Sequence, residues 1–167
     1  MLILVCGYIG VGKSTVAQRI AQKIDGTILR TDEIRSGIYP NPTHSREEIQ
    51  HVYELFFEEL KKLLREDKNV VLDATFHLKE NREKIINIAE KLKVDLKIVE
   101  VRCDSNEETR KRIENRNDGV SKTDYQQYLK HKAEFEEIDE EKIIINNNTE
   151  LKNAYDQIDA FVSNIKF

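Results

Sequence analysis

Three glycines, a lysine and two hydroxyls stand close together near the start of the chain, in Gly7-Tyr8-Ile9-Gly10-Val11-Gly12-Lys13-Ser14-Thr15. A polyphosphate packs several negative charges into a small volume, and open backbone N–H groups at a helix amino terminus meet them with aligned dipoles. Gly7, Gly10 and Gly12 let the backbone fold tightly around such a group. Lys13 supplies a point charge to the β and γ phosphates, and the Ser14 hydroxyl is suited to Mg²⁺. This is the spacing of a P-loop, and its surroundings fit. The apolar run at residues 2–6 reads as a strand, and Val16, Ala17, Ile20, Ala21 and Ile24 give the following segment one apolar helical face. The expected cofactors are therefore ATP and Mg²⁺, with Tyr8, Ile9, Gly10, Val11, Gly12, Lys13, Ser14 and Thr15 around the phosphates. The alternative is a glycine-rich turn without a ligand. P-loops serve GTPases, mechanical ATPases and kinases alike. Neither an Asn-Lys-x-Asp segment for guanine nor an Asp-x-x-Gly switch after a strand occurs here, which favours phosphoryl transfer.

Four further groups of residues suit transfer to an acceptor. Asp32 and Arg35 are three apart and share a face if they lie in the first turn of a helix. The carboxylate would accept the proton of an attacking hydroxyl, and the guanidinium fork would hold an anionic group on the acceptor. Alternatively, Asp32 caps the helix and Arg35 is a solvated surface residue. Asp73 closes the apolar run Val70-Val71-Leu72, where ligands of open α/β sheets gather. A buried carboxylate needs a cation or several donors, so Asp73 is assigned to Mg²⁺ beside Ser14 and to the acceptor site, with a hydrogen bond to the P-loop as the alternative. His77 follows closely and is placed against the acceptor. Arg112 and Arg116, four apart, suit a grip on the transferring phosphoryl group, against the plainer reading of a solvated helical face. Asn147, in the run Asn146-Asn147-Asn148-Thr149, borders the purine or simply forms a turn.

These residues require a scaffold. Apolar runs at 2–6, 27–29, 70–72, 96–101 and 142–145 read as strands, and amphipathic helical segments separate them. Continuous apolar strands alternating with helices imply a parallel sheet covered on both faces, an α/β fold of three layers. A long helix is expected over about 45–65, with Ser45 and Glu48 as a capping box. A helical region at 106–137, broken at Asn117-Asp118-Gly119, would form a lid. The closing helix, 150–165, carries Leu151, Ala154, Tyr155, Ile158 and Val162 on one stripe. With 167 residues, a single domain spanning 1–167 is expected. No apolar run is long enough to span a bilayer and no signal peptide precedes the first strand, so a cytoplasmic protein without a membrane role is expected. A formal net charge of -4 argues against broad coating of nucleic acid, though not against a local basic groove. Cys6 and Cys103 read as buried reduced thiols, and the sequence indicates no obligate protein partner.

Taken together, the chain resembles the family of small P-loop kinases that contains the 5′-hydroxyl polynucleotide kinase domain. The resemblance covers nearly the whole chain. It rests on residues 7–15, the Asp32-x-x-Arg35 pair, Leu72-Asp73-Ala74-Thr75, Asn81-Arg82 and the arginine-rich lid with Arg112 and Arg116. The resemblance implies a five-stranded sheet of order 2-3-1-4-5, Asp32 as general base, Arg35 on the acceptor's phosphate, and the lid arginines with Lys13 on the donor phosphates. The expected activity is transfer of the γ-phosphoryl group of ATP to a hydroxyl, with a nucleic acid 5′ end as favoured acceptor. The competing readings are a kinase for a small molecule (nucleoside, nucleotide or sugar) and an ATP-binding regulatory module.

Overall fold

The structure, a computed structural model, describes residues 1–43, 45–115, 125–148 and 150–165. Its elements follow in the order β1 (Leu2–Cys6), α1 (Lys13–Ile24), β2 (Thr27–Arg30), α2 (Thr31–Ile38), α3 (Arg46–Arg65), β3 (Val70–Asp73), α4 (Lys79–Leu92), β4 (Leu96–Arg102), α5 (Asn106–Glu114), α6 (Tyr125–Glu134), β5 (Lys142–Asn146) and α7 (Leu151–Ser163). All five strands pair in parallel, in the order β2-β3-β1-β4-β5, as the resemblance implied. β1 is thus the central strand, and the loop after it opens at the middle of the sheet's carboxyl edge.

Because successive strand residues face opposite sides, β1 feeds two cores. Leu2, Leu4 and Cys6 pack with Phe56, Leu60 and Leu64 of α3 and Ile85 and Ala89 of α4. Ile3 and Val5 pack with Val16, Ala17 and Ile20 of α1 and Ala154, Ile158 and Val162 of α7. The two helical layers are therefore α1 with α7 on one face and α3 with α4 on the other. Leu151, expected on the docking stripe of α7, is 45% exposed, because the stripe begins only one turn later at Ala154.

Four strands run one residue beyond the apolar pattern, ending at Arg30, Asp73, Arg102 and Asn146. Each of these polar ends stays in register with its neighbour, Arg30 opposite Asp73 and Arg102 opposite Asn146. The capping box at α3 is half formed. Ser45 Oγ accepts from the Glu48 N–H at 3.2 Å, but the Glu48 carboxylate turns instead to the N–H and hydroxyl of Thr43. The helical region expected to end near 137 ends at Glu134, and Asn117-Asp118-Gly119 lies outside the described residues.

The segment after α6 is tied down elsewhere. The His77 carbonyl accepts from the Glu136 N–H at 2.9 Å, and the Glu137 carbonyl accepts from Arg82 Nη2 at 2.6 Å. Cys6 is fully buried, and burial pushes its thiol up to about 12. Cys103 is only half-buried, and both thiols are free. Among the described residues no helix is long and apolar enough to cross a membrane.

Candidate active site

The loop between β1 and α1 takes its shape from three glycines in the left-handed half of backbone space. Gly7 has φ +138°, and a Cβ there would lie 2.4 Å from the Val101 carbonyl oxygen of β4. Gly12, at φ +94°, is the residue before α1 and offers no side-chain cap to it, so the first N–H groups of α1 open onto the loop. Ser14 and Thr15 lie in that first turn, half-buried. Lys13 Nζ donates to the Tyr8 carbonyl at 2.7 Å, which folds the ammonium across the loop. The loop's own side chains serve packing. Ile9 is buried against Ile113 and Tyr128, Val11 is 1% exposed, and Tyr8 meets Phe135 edge-on at 4.8 Å. The side chains of Tyr8 and Ile9 are thus taken up by apolar contacts with α5, α6 and the segment after α6, and that of Val11 by the core on the α1 face, so backbone groups are what these three residues present to the loop.

Arg112 and Asn147 brace the same loop. Asn147 is buried, and its Nδ2 donates to the Val11 carbonyl at 2.8 Å. Arg112 donates through Nη1 to the carbonyls of Asn147 (2.9 Å) and Val11 (3.4 Å), through Nη2 to that of Asn148 (2.7 Å), and through Nε to Glu108. The fork assigned to phosphate is thus occupied by backbone oxygens, and the amide assigned to the purine closes the loop from behind. Neither residue reads as a solvated helical face or a simple turn. Arg116 lies outside the described residues.

This bracing makes a prediction at Gly12, where an added Cβ would stand 2.1 Å from Asn147 Nδ2. Gly12→Ala must both hold a positive φ and displace a buried amide, at a cost of about 2 kcal/mol. Urea unfolding should show that loss, and an ATP titration should show at least tenfold weaker binding. Wild-type affinity in the variant would mean that the loop does not need this bracing.

On the other side of β1, α2 starts immediately after β2. Its preceding residue is Arg30, which gives no side-chain cap, so Asp32 is a first-turn acid rather than the cap. Arg35 Nη1 donates to Asp32 Oδ1 at 2.8 Å. The Arg35 side chain is 11% exposed and that of Asp32 44%, so the guanidinium is sheltered while the carboxylate faces outward. Glu48 of α3, 4% exposed, completes the group. Its Oε1 lies 3.1 Å from Arg35 Nε, close enough for an ion pair but off the line of a hydrogen bond. Sequence spacing exposes Asp32 and Arg35 but not Glu48, which sits on a different helix.

Asp73 is buried at the end of β3, and Arg30 Nε donates to its Oδ2 at 2.9 Å. Burial works against the Arg30 charge, but Glu33 and Asp73 outweigh it and raise the guanidinium's pKa. Asp73 therefore meets a cation within the sheet, through the residue opposite it in register. Among the described residues no three His, Cys, Asp or Glu side chains gather to hold a metal ion. Mg²⁺ at a kinase site needs fewer protein ligands, because water and the substrate's phosphates fill most of its shell. The Ser14 hydroxyl and the second oxygen of Asp73 are chemically suited to that lesser share.

His77 is engaged by α6. Its ring meets His131 of α6 edge-on at 4.8 Å, and burial, with His131 nearby, lowers its pKa. Arg82, fully buried, binds the Phe76 and Glu137 carbonyls and joins the β3–α4 loop to the segment after α6.

A family model described as an AAA domain matches residues 2–138, most of the chain. The chain belongs to this AAA domain family. No curated protein matches the sequence. Among solved structures, the AAA domain is similar to Kti12 of Chaetomium thermophilum in complex with ADP-AlF3, with a TM-score of 0.75, 16% identity and 100% of both chains covered. It is similar to the APS kinase CysC of Mycobacterium tuberculosis in complex with AMPPNP and APS, with a TM-score of 0.70 and 15% identity over 97% of this chain and 95% of that one. A chain of the Pnkp1/Rnl/Hen1 RNA repair complex aligns with a TM-score of 0.67 and 20% identity, over 80% of this chain and 43% of that one. At these identities the likeness concerns the fold, which is that of a P-loop kinase.

Proposed function

We propose that the chain is an ATP-dependent kinase that transfers the γ-phosphoryl group to a hydroxyl, with a polynucleotide 5′-hydroxyl as the favoured acceptor. The observation that carries this reading is the outward-facing Asp32 carboxylate, held by a sheltered Arg35 at the edge of the sheet where the P-loop opens. In this reading Lys13 leaves the Tyr8 carbonyl for the β and γ phosphates, and the first N–H groups of α1 hold the remaining phosphate oxygens. Asp32 accepts the hydroxyl proton as the oxygen bonds to the γ phosphorus and the bond to the bridging oxygen breaks, releasing ADP. Ser14 and Asp73 are the residues that would hold Mg²⁺, which would supply charge neutralisation on the phosphates. Arg116 closes on the transferring group, and Arg112 joins it by exchanging backbone carbonyls for phosphate oxygens. The chain works as one domain, with α5 and α6 as the lid.

A specific observation favours the second reading, an uncharged small hydroxyl compound as acceptor. Around the proposed base, Arg30 and Arg35 face four carboxylates, Asp32, Glu33, Glu48 and Asp73, so both cations are already paired. An acceptor phosphate at Arg35 would have to compete with two carboxylates. The experiment that decides is transfer of labelled γ-phosphate to 5′-hydroxyl DNA and RNA oligonucleotides, to the same oligonucleotides already 5′-phosphorylated, and to nucleosides and sugars. Label on the 5′-hydroxyl oligonucleotides alone is the expected result. Label on a small compound alone would establish the second reading. ATP binding without label on any acceptor would overturn the kinase assignment for these acceptor classes.

A further inference from the structure

Helices α3 and α4 enclose an open groove of about 580 Å³ on the face of the sheet opposite α1 and α7. Both helices run back against the strands, so the groove lies toward their carboxyl ends and away from the P-loop edge. Its floor is apolar, formed by Phe57 of α3 with Ile88 and Leu92 of α4, all packed onto the core beneath. Its banks are basic. Lys61 and Arg65 stand one turn apart on α3, and Lys84 and Lys91 stand two turns apart on α4. Lys84 is paired with Glu80, whereas Lys61, Arg65 and Lys91 make no ion pair with a carboxylate among the described residues. No Asp or Glu lines the groove, in a chain whose formal net charge is -4.

An apolar floor between two rows of cations is the complement of a helix with an apolar stripe flanked by acids. The spacing of each row matches the helical repeat on which such acids would stand. A single nucleic acid strand fits the banks but not the floor. Ile88 and Leu92 offer no stacking surface, and the Phe57 ring is already engaged by Tyr53 and Phe56. We infer that the α3–α4 groove is a docking surface for an acidic amphipathic helix of a partner protein. Because it lies away from the phosphate loop, occupancy leaves the nucleotide site open.

The test uses the full chain and a synthetic peptide of about 15 residues, with leucines on one helical face and glutamates flanking them. Controls are a peptide of the same composition shuffled to break the stripe, and oligothymidylate of similar length. The peptide should shift the methyl resonances of Ile88 and Leu92, bind more weakly as salt is raised, and bind about tenfold more weakly to the doubly reversed variant Lys61→Glu/Lys91→Glu. ATP affinity of that variant should equal the wild type. The inference is overturned if the methyl resonances stay unmoved at saturating peptide, if the shuffled peptide or the reversed variant binds equally well, or if oligothymidylate displaces the peptide.

Discussion

Asp32→Asn should leave ATP bound as tightly as in the wild type while slowing phosphoryl transfer by about 10²- to 10⁴-fold, the range lost when a positioned proton acceptor is removed. Asparagine has the same shape as aspartate, and its amide oxygen can still accept from Arg35 Nη1, now 2.8 Å from Asp32 Oδ1. The local geometry of α2 should therefore survive. What disappears is a group able to take the hydroxyl proton. Single-turnover transfer measured beside equilibrium binding of ATP separates the two consequences, since an interaction used only in the transition state lowers the rate and leaves nucleotide affinity alone. An undiminished rate in this variant would remove Asp32 as the base.

The second large effect concerns stability. Arg82 is fully buried, and its guanidinium donates to the Phe76 carbonyl at 2.8 Å and the Glu137 carbonyl at 2.6 Å, with Glu140 3.9 Å from Nε. Arg82→Met fills a similar volume but leaves the buried Phe76 carbonyl and the partly buried Glu137 carbonyl without their charged donor and Glu140 without its cation. Hydrogen bonds with one charged partner contribute about 1.5–3 kcal/mol each, so the combined loss should be about 3 kcal/mol. For a chain of this size that lowers Tm by roughly 6–12 °C. Limited proteolysis should also find new cleavage within residues 135–141, because Arg82 is one of the ties that hold this segment to the β3–α4 loop. A Tm within about 2 °C of wild type would show that the guanidinium carries no such weight.

How far the sequence could be read depended on how far apart the cooperating residues lie. The P-loop was legible because Gly7, Gly10, Gly12, Lys13 and Ser14 act through local backbone geometry, where spacing is the whole signal. Asp32 and Arg35 were legible for a related reason, since a separation of three on one helix puts them together. Glu48 was not. It reaches Arg35 from α3, and its sequence signal, three residues after Ser45, pointed to a helix cap instead. The strand ends fell one residue short because Arg30, Asp73, Arg102 and Asn146 are polar, and hydropathy cannot show that a neighbouring strand pairs them. Arg112 and Asn147 were picked out as functional residue types. Their targets, the carbonyls of Val11, Asn147 and Asn148, are backbone atoms brought near by the β1-β4-β5 order, and no side-chain pattern encodes those.

The hold of Asn147 on Val11 also bears on how the chain comes into being. Translation delivers Asn147 136 residues after Val11, a delay of roughly 10 s at ordinary elongation rates. During that interval the Val11 carbonyl has no amide to meet and β4 has no β5 beside it. The nascent loop accordingly lacks this brace until β5 has paired with β4 and the residues after it are in place, so its final curvature is set late in folding.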